Sequence, residues 1–95
     1  MSIGRISMME FESEKALEKS EVVYEEIRDE AFPTLELVIN IRTGPTSLMS
    51  VALYPDYDSA ASNLPAREKF QQQVEPTLKD SFFHEGDVTY FYQKP

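Results

Sequence analysis

The stretch that decides the fold is residues 35–54, which read LELVINIRTGPTSLMSVALY. Two runs rich in apolar and β-branched residues flank the turn 43–46, so the stretch predicts a β-hairpin with strands 35–42 and 47–54. Side chains alternate between the two faces of a strand. One face of the hairpin is apolar and comprises Leu35, Leu37, Ile39, Ile41, Met49, Val51 and Leu53. The other face is mixed and comprises Val38, Asn40, Arg42, Leu48, Ser50, Ala52 and Tyr54.

The difference between these faces predicts what covers each of them. An apolar face is expected to pack against helices, whereas a mixed face is expected to meet a ligand or a second subunit. Residues 3–11 read as a further strand that places Arg5 and Ser7 on the mixed face.

A helix is predicted between the first strand and the hairpin. Ser13 is a suitable N-cap, because its hydroxyl can accept a hydrogen bond from a free backbone N–H. Pro33 should end the helix near residue 31 or 32. Its buried stripe is expected to contain Ala16, Leu17, Ser20, Val23, Tyr24, Ile27 and Ala31.

The segment after the hairpin predicts a second helical region and a last strand. Asp58 or Ser59 can cap a short helical turn, and Pro65 suits the first turn of a new helix, which Pro76 ends or kinks. Residues 84–87 then read as a turn, and residues 88–93 as a strand rich in β-branched and aromatic residues.

The predicted order is strand, helix, strand, strand, helix, strand. This is the α+β ferredoxin-like βαββαβ pattern, a four-stranded antiparallel sheet with two helices on one face. The 95 residues fit one domain, 1–95, and a chain this small gains stability from forming a homodimer.

The formal net charge of −8 is concentrated in residues 10–30, where nine acidic residues face three basic ones. Such a surface repels phosphate groups, so we expect neither nucleic acid nor an anionic membrane surface as a partner. The acidic helix is either a solvated face or the docking face of a non-catalytic module that binds a basic protein.

The composition offers little for metal or covalent chemistry. The sequence has no cysteine and one histidine, so it predicts no disulfide, no thiolate nucleophile and no metal site. His84 with Glu85 and Asp87 could form an acid–base or ligand group, although a solvated turn explains them as well. No stretch approaches the ~20 apolar residues of a membrane span and no signal peptide is evident, so a cytoplasmic protein is expected.

The passage 53–64, LYPDYDSAASNL, resembles the dimeric α/β-barrel superfamily, and within it the antibiotic-biosynthesis-monooxygenase-like branch. In that branch an aromatic residue ends the third strand, a short acidic turn follows, and a helix carries a histidine about nine residues later. Tyr54 matches the aromatic residue, and Asn63 stands at the histidine position. The resemblance implies a homodimer whose open sheet faces meet, with a small-molecule cavity between sheet and helices.

Five residues are candidates for binding a small aromatic or oxygenated molecule. Asn40 and Arg42 would orient a polar group of the ligand, Tyr54 and Tyr90 would pack or donate a hydrogen bond, and Asn63 holds the family's histidine position. The sequence contains no cofactor motif. If the protein is an enzyme, the expected activity is monooxygenase-like or isomerase-like and independent of a cofactor.

Overall fold

The computed structural model describes residues 2–95, and within that range it has one four-stranded sheet and three α-helices. The sheet has the order β2-β3-β1-β4, and all neighbouring strands are antiparallel. The predicted ferredoxin-like pattern is confirmed, with the second helical region divided into two helices. The elements are β1 (Ile3–Phe11), α1 (Glu14–Ala31), β2 (Leu37–Arg42), β3 (Ser47–Tyr54), α2 (Tyr57–Ser62), α3 (Leu64–Val74) and β4 (Leu78–Asp87).

Local capping explains where the helices begin. The Ser13 hydroxyl accepts a hydrogen bond from the Ala16 N–H at 3.1 Å, as expected for α1. For α2 the cap is Asp56, which accepts from the Ser59 N–H at 2.7 Å, and not Asp58 or Ser59 as predicted. Pro65 lies in the first turn of α3. A 3₁₀ turn, Glu75–Thr77, follows α3 and leads into β4.

Replacing Ser13 with alanine should lower the free energy of unfolding by about 1 kcal/mol, because the Ala16 N–H loses its acceptor. Urea unfolding followed by circular dichroism measures this change. Ser62→Ala is the matched control, since its hydroxyl only donates to the Ser59 carbonyl within a helix. Equal stability of the two variants would contradict the capping role.

The predicted last strand is wrong. The strand is β4, residues 78–87, and not residues 88–93; the expected turn at 84–87 lies inside it. The pairing with β1, which runs from Phe11↔Leu78 to Ile3↔Asp87, decides the position of the strand. Because β1 begins at Ile3, residues beyond 88 have no neighbouring strand, and pairing outweighs their high strand propensity. Val88 still donates a hydrogen bond from its N–H to the Ser2 carbonyl.

The predicted assignment of the sheet faces is also wrong. The helices cover the mixed face, and the apolar face is open: Ile39 is 50% exposed and Ile41 48%, whereas Leu48 and Tyr54 are each 2% exposed. The physical reason lies in β1, whose Ile3 and Phe11 side chains point to the helices. The register of β1 with β3 pairs Ile3 with Tyr54, Arg5 with Ala52 and Met9 with Leu48, and so places these β3 residues on the same side of the sheet. We call the open side, with Ile6, Ile39, Ile41, Val51 and Phe82, the outer face.

Two apolar clusters hold the helices on the other side of the sheet, the inner face, which carries Ile3, Phe11, Leu48 and Tyr54. The first joins the sheet to α1 and α3 and consists of Phe11, Leu17, Leu48, Phe70 and Val74. The second joins the sheet to α2 and consists of Ile3, Ala52, Tyr54 and Ala60. No helix within residues 2–95 is long and apolar enough to cross a membrane.

Candidate small-molecule site

A cavity of about 70 Å³ lies between the inner face of the sheet and helices α1 and α3, and part of its boundary is open to solvent. Its volume is about half of the ~150 Å³ that encloses a benzene-sized molecule, so a ring-sized ligand would occupy the mouth as well. The lining is apolar at Tyr24, Leu48 and Phe70 and polar at Arg5, Asn40 and Arg67. An apolar pocket with a few convergent polar groups is typical of small-molecule sites.

Arg5 is the most unusual residue of this lining, because its side chain is only 3% exposed. Nε and Nη2 donate to one carboxylate oxygen of Glu85 at 3.1 and 3.0 Å, and Nη2 also donates to the Ala60 carbonyl at 2.7 Å. Cζ lies 5.0 Å from the centre of the Tyr54 ring. Nη1 is buried and has no hydrogen-bond partner among residues 2–95.

Arg67 brings a second guanidinium group to the cavity from α3. It lies 4.0 Å from the centre of the Phe83 ring, and it donates to Gln71 at 3.0 Å and to Ser7 at 3.4 Å. No carboxylate of the described residues lies within 4 Å of it. Burial lowers the pKa of Arg67, and the positive charge of Arg5 lowers it further. Arginine remains charged nonetheless, so this end of the cavity is electropositive.

Tyr54 lies against Arg5 and is buried at the end of β3. Burial raises the pKa of Tyr54, while the charge of Arg5 and a hydrogen bond from Asn63 act in the opposite direction. Its hydroxyl therefore stays protonated near neutral pH and can donate a hydrogen bond. Asn63, itself 2% exposed, is held in place because its Nδ2 donates to Thr34 Oγ1 at 2.5 Å.

The structure brings together some of the five residues proposed from the sequence. Asn40 and Tyr54 line the cavity, and Asn63 lies behind Tyr54. Arg42 is outside the lining, because it forms ion pairs with Glu21 and Glu14 of α1 at 2.8 and 3.7 Å. Tyr90 is 84% exposed beyond the end of β4, and the structure does not bring it to this cavity.

The two cavity arginines were not among those five residues. The alternation of β1 had placed Arg5 on the same face as Asn40, but nothing in the sequence distinguishes a buried arginine from a solvated one. Arg67 and Gln71 are one helical turn apart and adjoin the apolar stripe of α3. This spacing was the feature of the sequence that could have indicated that Arg67 faces the cavity.

The candidate acid–base group of His84, Glu85 and Asp87 does not form a single site in the structure. His84 and Glu85 are consecutive in β4 and therefore point to opposite faces; His84 lies beside Phe82 on the outer face, and Glu85 pairs with Arg5. Among residues 2–95 no three His, Cys, Asp or Glu side chains are grouped so as to hold a metal ion.

The acidic surface of α1 is partly neutralised within the chain. Arg28 pairs with Glu25 at 2.6 Å and with Asp29 at 3.3 Å, and Arg42 pairs with Glu21. No specific observation therefore favours α1 as a docking face over a solvated one.

Comparisons with known proteins place this fold. No protein-family model and no curated protein matches the sequence. Solved structures do match, at low sequence identity, and they include ferredoxin-like dimeric and antibiotic-biosynthesis-monooxygenase-like proteins, as the resemblance implied.

Three of these structures illustrate the likeness. SnoaB, a cofactor-independent oxygenase from Streptomyces nogalater, is 10% identical, with 98% of each chain covered and a TM-score of 0.78. A dimeric ferredoxin-like protein from an uncultured marine organism is 14% identical, covering 98% of this chain and 93% of that one, with a TM-score of 0.76. A candidate antibiotic biosynthesis monooxygenase from Nitrosomonas europaea is 10% identical. The match covers 94% of this chain and 91% of that one, with a TM-score of 0.78. At such identities the likeness is one of fold.

Proposed function

We propose that this protein is a homodimer in which each subunit binds a small oxygenated organic molecule in the cavity between its sheet and helices. The observation that carries the proposal is the buried Arg5, whose Nη1 donor has no hydrogen-bond partner within residues 2–95 and which lines an open, largely apolar space. Buried polar groups in native proteins are nearly always paired, and an acceptor supplied by a ligand would satisfy this one.

If the protein transforms its ligand, the reactivity must come largely from the ligand. The cavity offers a protonated phenol at Tyr54 and two guanidinium groups, which orient and polarise oxygen atoms but do not act as nucleophiles. Oxygenation or isomerisation of an activated aromatic compound, without a cofactor, is compatible with these groups. The structural likeness to SnoaB, a cofactor-independent oxygenase, supports the same class of chemistry.

The outer face supports the homodimer. Ile6, Ile39, Ile41 and Phe82 are 42–52% exposed on one side of the sheet, and a contiguous apolar surface of this kind marks an interaction site. Dimeric ferredoxin-like proteins among the solved structures point the same way. Pairing two outer faces would leave both cavities free, because they lie on the opposite side of each sheet.

Ligand binding can be tested by heteronuclear NMR with benzamide and benzoate as probes. We expect saturable shifts of the backbone amides of Ser7, Asn40 and Ser50, which line the cavity. Ser50→Leu, which fills part of the cavity, should weaken binding about tenfold, or about 1.4 kcal/mol. Met49→Leu is the control, because the neighbouring side chain points to the outer face.

Thermal melts of both variants show whether each is folded. Absence of saturable shifts with either probe, and with the smaller acetamide and acetate, would overturn the proposal. Binding that Ser50→Leu does not weaken in a folded variant would place the ligand elsewhere.

A further inference from the structure

We propose that the cavity selects an organic carboxylate, held between Nη1 of Arg5 and the guanidinium group of Arg67. This inference deepens the proposed function and rests on it, since it names the chemical class of the ligand. Three features of the cavity carry it, namely an unpaired donor, an uncompensated charge and a fixed geometry.

The unpaired donor is Nη1 of Arg5, for which the described part of the chain, residues 2–95, supplies no acceptor. The side chain is 97% buried and both of its other nitrogen atoms are engaged, by Glu85 and by the Ala60 carbonyl. A charged donor removed from water without an acceptor destabilises the folded state, more so than a neutral one. A ligand oxygen at this position removes that cost, and a charged oxygen makes the stronger hydrogen bond.

The uncompensated charge is that of Arg67. Of the carboxylates near the cavity, Glu85 pairs with Arg5, and Glu21 pairs with Arg42 on the α1 side. The β4 end of the cavity therefore holds two guanidinium groups and one ion-paired carboxylate, that of Glu85, and Arg67 is in ion-pair contact with no carboxylate of the described residues, since Glu85 and Glu68 act on it only from beyond 4 Å. A ligand with one negative charge neutralises this excess, whereas a neutral ligand leaves it. The partly buried setting strengthens the attraction relative to water.

The fixed geometry comes from aromatic rings that support both arginines. Arg5 lies against Tyr54, and Arg67 lies over Phe83 at 4.0 Å, with Arg5 5.7 Å from the same ring. Contact between a guanidinium group and a ring face stabilises the cation and limits its rotation. Less conformational entropy is therefore lost when a ligand binds, which favours affinity.

The test compares benzoate with benzamide, two probes of nearly the same shape that differ in charge. At neutral pH and low salt, calorimetry on the full chain should give a benzoate dissociation constant at least about tenfold below that of benzamide, a difference of about 1.4 kcal/mol. Arg67→Met should remove that preference, because it should weaken benzoate binding more than benzamide binding. Arg67→Lys keeps the positive charge and should retain most of the preference for benzoate.

Arg28→Met is the matched control, because Arg28 on α1 is 32% exposed, pairs with Glu25 and Asp29, and lies outside the cavity lining. It should leave both dissociation constants unchanged. Thermal melts establish that each variant is folded. If Arg67→Met does not fold, the comparison of Arg67→Lys with the unmodified chain decides, since a charge-dependent preference must survive in it.

Two results separate the inference from the proposed function. If benzamide binds in the cavity as tightly as benzoate, the carboxylate preference is overturned and the small-molecule site stands. If neither aromatic probe binds, and acetate and acetamide also fail, both are overturned.

Discussion

Replacing Ile39 with glutamate should dissociate the proposed dimer into monomers. Ile39 is 50% exposed on the outer face, where it lies in the edge strand β2 and is paired in register with Val51 of β3. In a two-fold dimer each substitution appears twice, so the variant would bring two unpaired carboxylates into one apolar interface. A cost of about 3 kcal/mol is expected, which is a roughly hundredfold rise in the dimer dissociation constant.

Sedimentation equilibrium over a range of concentrations measures this change. Val22→Glu is the matched control, since Val22 is 58% exposed on α1, away from the sheet, and the same replacement there should leave the dimer intact. A monomeric unmodified protein at high concentration would contradict the outer-face dimer. Dissociation by Val22→Glu instead of Ile39→Glu would move the interface to α1.

Replacing Arg5 with methionine should lower the free energy of unfolding by about 2–3 kcal/mol, because the Glu85 carboxylate and the Ala60 carbonyl both lose their donor. This loss of unfolding free energy is smaller than the loss expected on breaking a fully buried ion pair, for two reasons. The Glu85 side chain is 28% exposed and keeps some water, and removing the unpaired Nη1 relieves part of the cost.

Urea unfolding of Arg5→Met, Glu85→Gln and the double variant measures the coupling between the two side chains. The double variant should be more stable than the sum of the single effects indicates, because it leaves no unpaired charge. Arg28→Met, which breaks an exposed pair, should change stability little. If Arg5→Met is no less stable than Arg28→Met, Arg5 does not hold β1, β4 and α2 together.

The interior of the cavity was only partly predictable from the sequence. Alternation along β1, β2 and β3 correctly grouped Arg5, Asn40 and Tyr54 on one face, because that period is a local property of the strand. The same reasoning could not tell that Arg42 is drawn away by the acidic residues of α1. Nor could it bring Arg67 to the cavity, because that depends on how α3 packs over β4.

The sequence by itself determined the local features of the molecule: the order of the elements, the bounds of β1 and β3, the Ser13 cap and the places where prolines interrupt the helices. These depend on backbone geometry and on neighbours within a few residues. Only the tertiary structure decided which sheet face the helices cover, where the last strand lies and that Arg5 is buried without a full set of partners. Those outcomes depend on pairing between β1 and both β3 and β4, that is, on contacts between residues distant in the chain.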